Sequence, residues 1–128
     1  MVWYLDTSAF LKLVVDEESS APMRSWSSAH DGVWSSQLLR AEALRAAQRL
    51  GVDVRSIEGA LETVSLVLPS VATYASAGRM QSKGLRTLQA LHLASALEIG
   101  PDLEGIAVYD RRLSDAAREV SIDVVSPA

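Results

Sequence analysis

The sequence predicts an α/β fold, a three-layer α/β/α sandwich around a mostly parallel central sheet. Three observations predict it. Short β-prone runs alternate with helical patterns along the chain, so successive strands run the same way and are joined by right-handed helical crossovers. Two aspartates, Asp6 and Asp110, fall at the ends of such runs, where open α/β sheets place their ligands. With 128 residues, 48% of them hydrophobic and 22% charged, the chain has apolar material for one core and not for two, so residues 1–128 are expected to form a single domain.

Each element has its own signal. Val2-Trp3-Tyr4-Leu5 is β-prone and stops at Asp6-Thr7-Ser8, a polar cap for a helix through AFLKLVV. Ser19 to Ala29 reads as a second helix, and His30-Asp31-Gly32 as a turn before the strand Val33-Trp34-Ser35. Ser36 is placed to cap a helix from Gln37 to Leu50, which Gly51 ends, and Asp53 to Leu61 reads as another helix. The strand Val64 to Leu68 is closed by Pro69-Ser70 ahead of a helix reaching about Ser82. After the basic loop Lys83-Gly84-Leu85-Arg86, Thr87 can cap the helix LQALHLASALEI, which Gly100-Pro101 breaks. A strand from Gly105 to Tyr109, a helix from Arg111 to Glu119 and a strand from Ile122 to Val125 complete the pattern.

Composition limits the chemistry. There is no cysteine and there are only two histidines, which leaves no thiolate or histidine cage, so a metal here is held by oxygen. The first residues carry Asp6 inside the apolar run and lack the basic start of a signal peptide, and no stretch reaches the roughly 20 apolar residues of a membrane span. The expected setting is therefore cytoplasmic, without a membrane. A net charge of −4 speaks against a nucleic-acid coat protein but not against a nuclease, whose metal-binding carboxylates themselves lower the charge.

Three acids stand out. Asp6 and Asp110 share the carboxyl edge of the expected sheet, although each position also suits a helix N-cap. Glu42, in QLLRAEALRAAQRL, lies on or beside the apolar stripe, where a carboxylate is costly unless paired, protonated or metal-bound. An ion pair with Arg45 or Arg49 is the plain alternative. Together the three are expected to converge on a divalent metal ion. Thr7 and Ser8 are placed either to orient these carboxylates or only to cap the first helix.

The segments YLDTSAFLKL, LLRAEALRA, LRTLQALHLASAL and VYDRRLSDAA, in this order and spacing, resemble a PIN domain of the VapC toxin type, the ribonuclease half of bacterial toxin-antitoxin pairs. The resemblance spans nearly the whole chain. It implies an endoribonuclease in which Asp6, Glu42 and Asp110 surround Mg2+ or Mn2+, with a homodimer and a cognate antitoxin as partners and RNA as substrate. The chain departs from the family pattern at Gln89, where an aspartate is expected. An amide oxygen can ligate Mg2+ without the charge that favours hard cations, so attenuated activity is implied, whether the change is natural or engineered.

Asp115, five residues beyond Asp110, is a candidate compensating acid or an ordinary exposed helix acid. His92, among Leu91, Leu93 and Ala94, reads as a core histidine and not as a general base. Arg79, Lys83, Arg86, Arg111 and Arg112 flank the segments that should meet at the site and are candidate RNA phosphate contacts. Trp3, Trp26 and Trp34 read as core or interface aromatics. Two other functions fit less of the chain. One is a catalytically weak module that binds RNA and antitoxin; the other is a receiver-like phosphoacceptor, which lacks its acid pair after the first strand and its late lysine.

Overall fold

Val2–Leu5 forms the first strand, β1, and Asp6 ends it by accepting a hydrogen bond from Ala9 N–H at 3.0 Å, which caps helix α1 (Thr7–Val14). The computed structural model describes all 128 residues. Next come α2 (Ser20–Ser28), β2 (Val33–Ser36), α3 (Leu38–Leu50), α4 (Val54–Leu61) and β3 (Ser65–Val67). The second half holds α5 (Val71–Gly78), α6 (Thr87–Leu97), β4 (Leu103–Ala107), α7 (Arg111–Glu119) and β5 (Val124–Val125).

Every strand pair is parallel, in the order β3-β2-β1-β4-β5. β1 is therefore central, and the winding of the sheet reverses between β1 and β4. That reversal opens a crevice at the carboxyl ends of the two strands, and Asp6 and Asp110 follow those strands. A receiver-type sheet has the order 2-1-3-4-5, so this topology excludes the phosphoacceptor alternative.

Alternating side chains of the central strands feed two cores. Leu5, Val33 and Ala107 pack on one face with Phe10, Met23, Leu39 and Ile57 from α1 to α4. Tyr4, Ile106 and Val108 pack on the other with Leu93, Leu113 and Ala117 from α6 and α7. Trp3 and Trp26 meet edge to face with their ring centroids 5.2 Å apart, and Trp26 stacks on His30. No helix is long and apolar enough to cross a membrane.

Several expected boundaries move. The fifth helix stops at Gly78 instead of near Ser82, because Arg79 N–H closes the last turn on Ala75 and Ser76 and the chain then loops to Gly84, whose φ of 78° leaves the helical region. β4 starts two residues early because it pairs with β1 from Val2↔Leu103 to Leu5↔Ala107. Asp110 thus stands three residues past the strand, although Val108 N–H still bonds Val125 C=O at 3.0 Å. Ser36 is the last residue of β2, and its hydroxyl accepts from Leu38 N–H. Arg86, not Thr87, occupies the cap position of α6.

The pairing of β1 with β4 requires a glycine. Gly105 faces Trp3 in register, and a Cβ there would lie 2.5 Å from the indole and 2.6 Å from the Asp123 carbonyl. Gly59, inside α4, has nothing within 4 Å of its Cβ position. In urea unfolding, Gly105→Ala is expected to lose roughly 1–3 kcal/mol. Gly59→Ala is expected to gain about 0.5–1 kcal/mol. Equal effects at the two positions would contradict this packing.

Candidate active site

The crevice between β1 and β4 holds a polar pocket of about 150 Å³, lined by Asp6, Thr7, Ser8, Glu42, Gln89, His92, Asp110 and Leu113. Only Leu113 is apolar. Two larger grooves, about 260 and 360 Å³, run beside α6 between Met80, Leu85, Leu91 and Leu97, and no acidic cluster enters them. The chemistry-bearing residues are gathered in the smaller cavity.

Asp6 is 5% exposed, and burial raises its carboxyl from the ordinary 3.8 to about 6. Hydrogen bonds from Ser8 Oγ at 2.6 Å and from Ala9 N–H partly offset that cost. Ser8 also accepts from Tyr109 N–H at 2.9 Å, which ties the end of β1 to the chain just before Asp110. Asp110 caps α7 through Leu113 N–H at 3.0 Å. For both aspartates the capping role and the place in the pocket coexist.

Glu42 reaches the pocket from α3, and neither Arg45 nor Arg49 pairs with it. Its partner is His92, whose Nε2 lies 2.7 Å from Glu42 Oε1. His92 Nδ1 meets Tyr4 Oη at 2.7 Å, and Thr7 Oγ1 lies 3.3 Å from Nε2. Ser8 thus orients a carboxylate, whereas Thr7 touches the histidine. His92 is buried as a core histidine is, yet it also lines the site. Its position three residues after Gln89 on one helix face was the signal available in the sequence.

Each acid is held by one oxygen. Asp6 Oδ2, Glu42 Oε2 and Asp110 Oδ2 take no hydrogen bond from the protein. None of them is a buried orphan. The free donors are thus carboxylate oxygens, which suit a hard divalent cation. No three acidic or histidine side chains close on a common point as a finished metal cage. Instead, each carboxylate bonds its own donor: Asp6 the Ser8 hydroxyl and Ala9 N–H, Glu42 the His92 ring, and Asp110 Leu113 N–H.

Gln89 lines the pocket with its amide oxygen already engaged, accepting from Arg86 N–H at 2.9 Å in the first turn of α6. Asp115 lies outside the pocket, exposed and 3.8 Å from Arg118, so the compensating-acid expectation fails because that helix position faces solvent. Arg79, Lys83, Arg86, Arg111 and Arg112 are exposed and form no ion pair within the chain. Arg86 precedes α6 and Arg111 opens α7, the two helices that bring Gln89 and Asp110 to the pocket.

The raised Asp6 carboxyl has a signed consequence for stability. Folding binds this proton more tightly than the unfolded chain does, so the contribution is complete below about pH 4 and disappears as pH rises through about 6. Moving from 3.8 to about 6 corresponds to on the order of 3 kcal/mol. The metal-free protein is expected to lose stability relative to Asp6→Asn between pH 4 and 7, by up to about 10 °C in Tm. A difference in Tm that stays flat across that range would contradict the assignment.

Comparison with known proteins fits this architecture. The family model of the PIN domain matches residues 3–119. Ribonuclease VapC46 of Mycobacterium tuberculosis is 36% identical over 126 residues, covering 98% of this chain and 97% of that protein. Ribonuclease VapC47 of the same species is 32% identical over 133 residues, covering 97% and 96%. The crystal structure of M. tuberculosis VapC20, described as a sarcin-ricin loop cleaving toxin, aligns with a TM-score of 0.76 over 98% of this chain and 99% of its own. At 17% identity that likeness concerns the fold alone. With the pocket at the sheet's switch point and relatives matched over nearly their full length, the chain belongs to the PIN-domain family, among its VapC ribonucleases.

Proposed function

We propose that this chain is an endoribonuclease, the toxin of a toxin-antitoxin pair, whose one PIN-like domain spans residues 1–128 and hydrolyses RNA phosphodiester bonds in the acidic pocket. The observation that carries the reading is the set of three carboxylates, each tied by one oxygen and free by the other, in one cavity at the switch point. Asp6, Glu42 and Asp110 would hold Mg2+ or Mn2+ through the free oxygens. When bound, the cation supplies charge for the scissile phosphate and lowers the pKa of the attacking water.

The chain's own residues do the rest. Ser8 and the first turn of α1 hold Asp6 in place, α7 holds Asp110, and His92 holds Glu42. The unpaired cations Arg86, Arg111 and Arg112, with Arg79 and Lys83 in and before the loop to α6, would bind RNA phosphates beside the acids. The partners on this reading are a second copy of the chain and a cognate antitoxin.

One observation favours a second reading, a catalytically weak module that binds RNA and antitoxin. Gln89 brings no charge, and its oxygen serves Arg86 N–H, so it offers little to an ion. Cleavage of a structured RNA in Mn2+ decides between the two. Gln89→Asp is expected to raise kcat/KM by roughly tenfold or more, equivalent to about 1.4 kcal/mol of transition-state stabilisation. Asp6→Asn is expected to lower kcat by on the order of 100-fold or more. Equal rates for the parent and Gln89→Asp would sink the attenuation, and activity in neither would count against a nuclease.

A further inference from the structure

We infer that His92 is a positioning residue for this centre: its Nε2–H clamps one oxygen of Glu42 and so aims the other into the pocket, while Tyr4 fixes the imidazole from the core. The inference rests on the function proposed above. Glu42 sits on α3 and His92 on α6, so their 2.7 Å bond joins two helices across the cavity. The bond sets where the carboxylate lies.

The hydrogen-bond directions follow from the donor inventory. An ionised carboxylate only accepts, so Nε2 carries the hydrogen, and Thr7 Oγ1 at 3.3 Å shares it. In the neutral ring Nδ1 must then accept, and the Tyr4 hydroxyl at 2.7 Å donates to it. Tyr4 is fully buried on the central strand, and burial pushes its phenol up, which keeps that proton in place. Its ring meets the imidazole edge to face at 5.8 Å and limits rotation. The order is Tyr4 O–H to Nδ1, then Nε2–H to Glu42. Ligand-orienting groups are commonly built this way, on rigid elements beneath the site.

A histidine retained only for core stability would need neither this tautomer nor a donor aimed at an acid. The second histidine supplies a contrast within the same molecule: His30 Nδ1 lies 2.6 Å from the Trp26 carbonyl and must donate, so the two rings should hold opposite tautomers.

The test begins with the metal-free protein. Its imidazole 15N spectrum is expected to show Nε2–H for His92 and Nδ1–H for His30, and a bare Nε2 in His92 would overturn the inference. Mn2+ alone is then titrated by calorimetry into the wild type, His92→Leu, His92→Gln and Tyr4→Phe, with Tm measured for each. His92→Leu is expected to lose roughly 10- to 100-fold in Mn2+ affinity. His92→Gln, whose amide N–H replaces Nε2–H, should recover most of it, and Tyr4→Phe should fall between.

A folded His92→Leu with wild-type affinity would overturn the proposal, as would losses that follow Tm and ignore the donor. Should His92→Leu fail to fold, Tyr4→Phe decides, since it preserves volume and removes only the hydroxyl. A wild type that takes up no Mn2+ rejects the metal reading above. The Glu42 13Cδ line of metal-free protein then judges His92 separately: it should shift or broaden in Tyr4→Phe, and an unchanged line overturns the clamp.

Discussion

The buried carboxylate of Asp6 is the constraint around which this structure is arranged. It stands at the carboxyl end of the central strand with 5% of its surface exposed, where an ionised group is costly unless the protein supplies donors. Ser8 and Ala9 supply two, and they do so by starting a helix at that point. Ser8 then bonds Tyr109 N–H, so the solution found for one acid brings the second, on the far side of the switch point, into the same cavity. The parallel order β2-β1-β4 makes this possible, because it brings the ends of β1 and β4 side by side.

The same economy appears at the other polar groups of the pocket. Asp110 caps α7 and lines the cavity; Gln89 bonds the first turn of α6 and lines the cavity; Glu42 joins α3 to α6 through His92. Each side chain thus fixes an element with one atom and presents another to the pocket. Helix starts suit this use, since their unpaired N–H groups already favour negative charge. The three acids gather in this pocket, and the apolar grooves beside α6 hold none of them.

The fold and the pocket were legible in the sequence to different depths. Element order came from alternating β-prone and helical runs, and boundaries failed where tertiary pairing overrode local signals. β4 is set by its register with β1, and α5 by the turn closed at Arg79. Asp6 and Asp110 were visible because strand ends attract acids, and Glu42 because a carboxylate beside an apolar stripe demands a partner. The identity of that partner was not visible. Arg45 and Arg49 are near in sequence, whereas His92 is 50 residues away and adjacent only after α3 and α6 pack. Asp115 shows the converse, an acid of plausible spacing that the helix turns outward. Periodicity locates a face; it does not say which distant element covers it.

On the proposed function, the three separately tethered carboxylates form one cation site. The most direct measurement is a crystal structure of the protein soaked in Mn2+, with data collected at the manganese edge. One or two anomalous peaks are expected in the pocket, bonded by Asp6, Glu42 and Asp110 through the oxygens left free of protein hydrogen bonds. Peaks held by other residues, or none at saturating Mn2+, would contradict that reading.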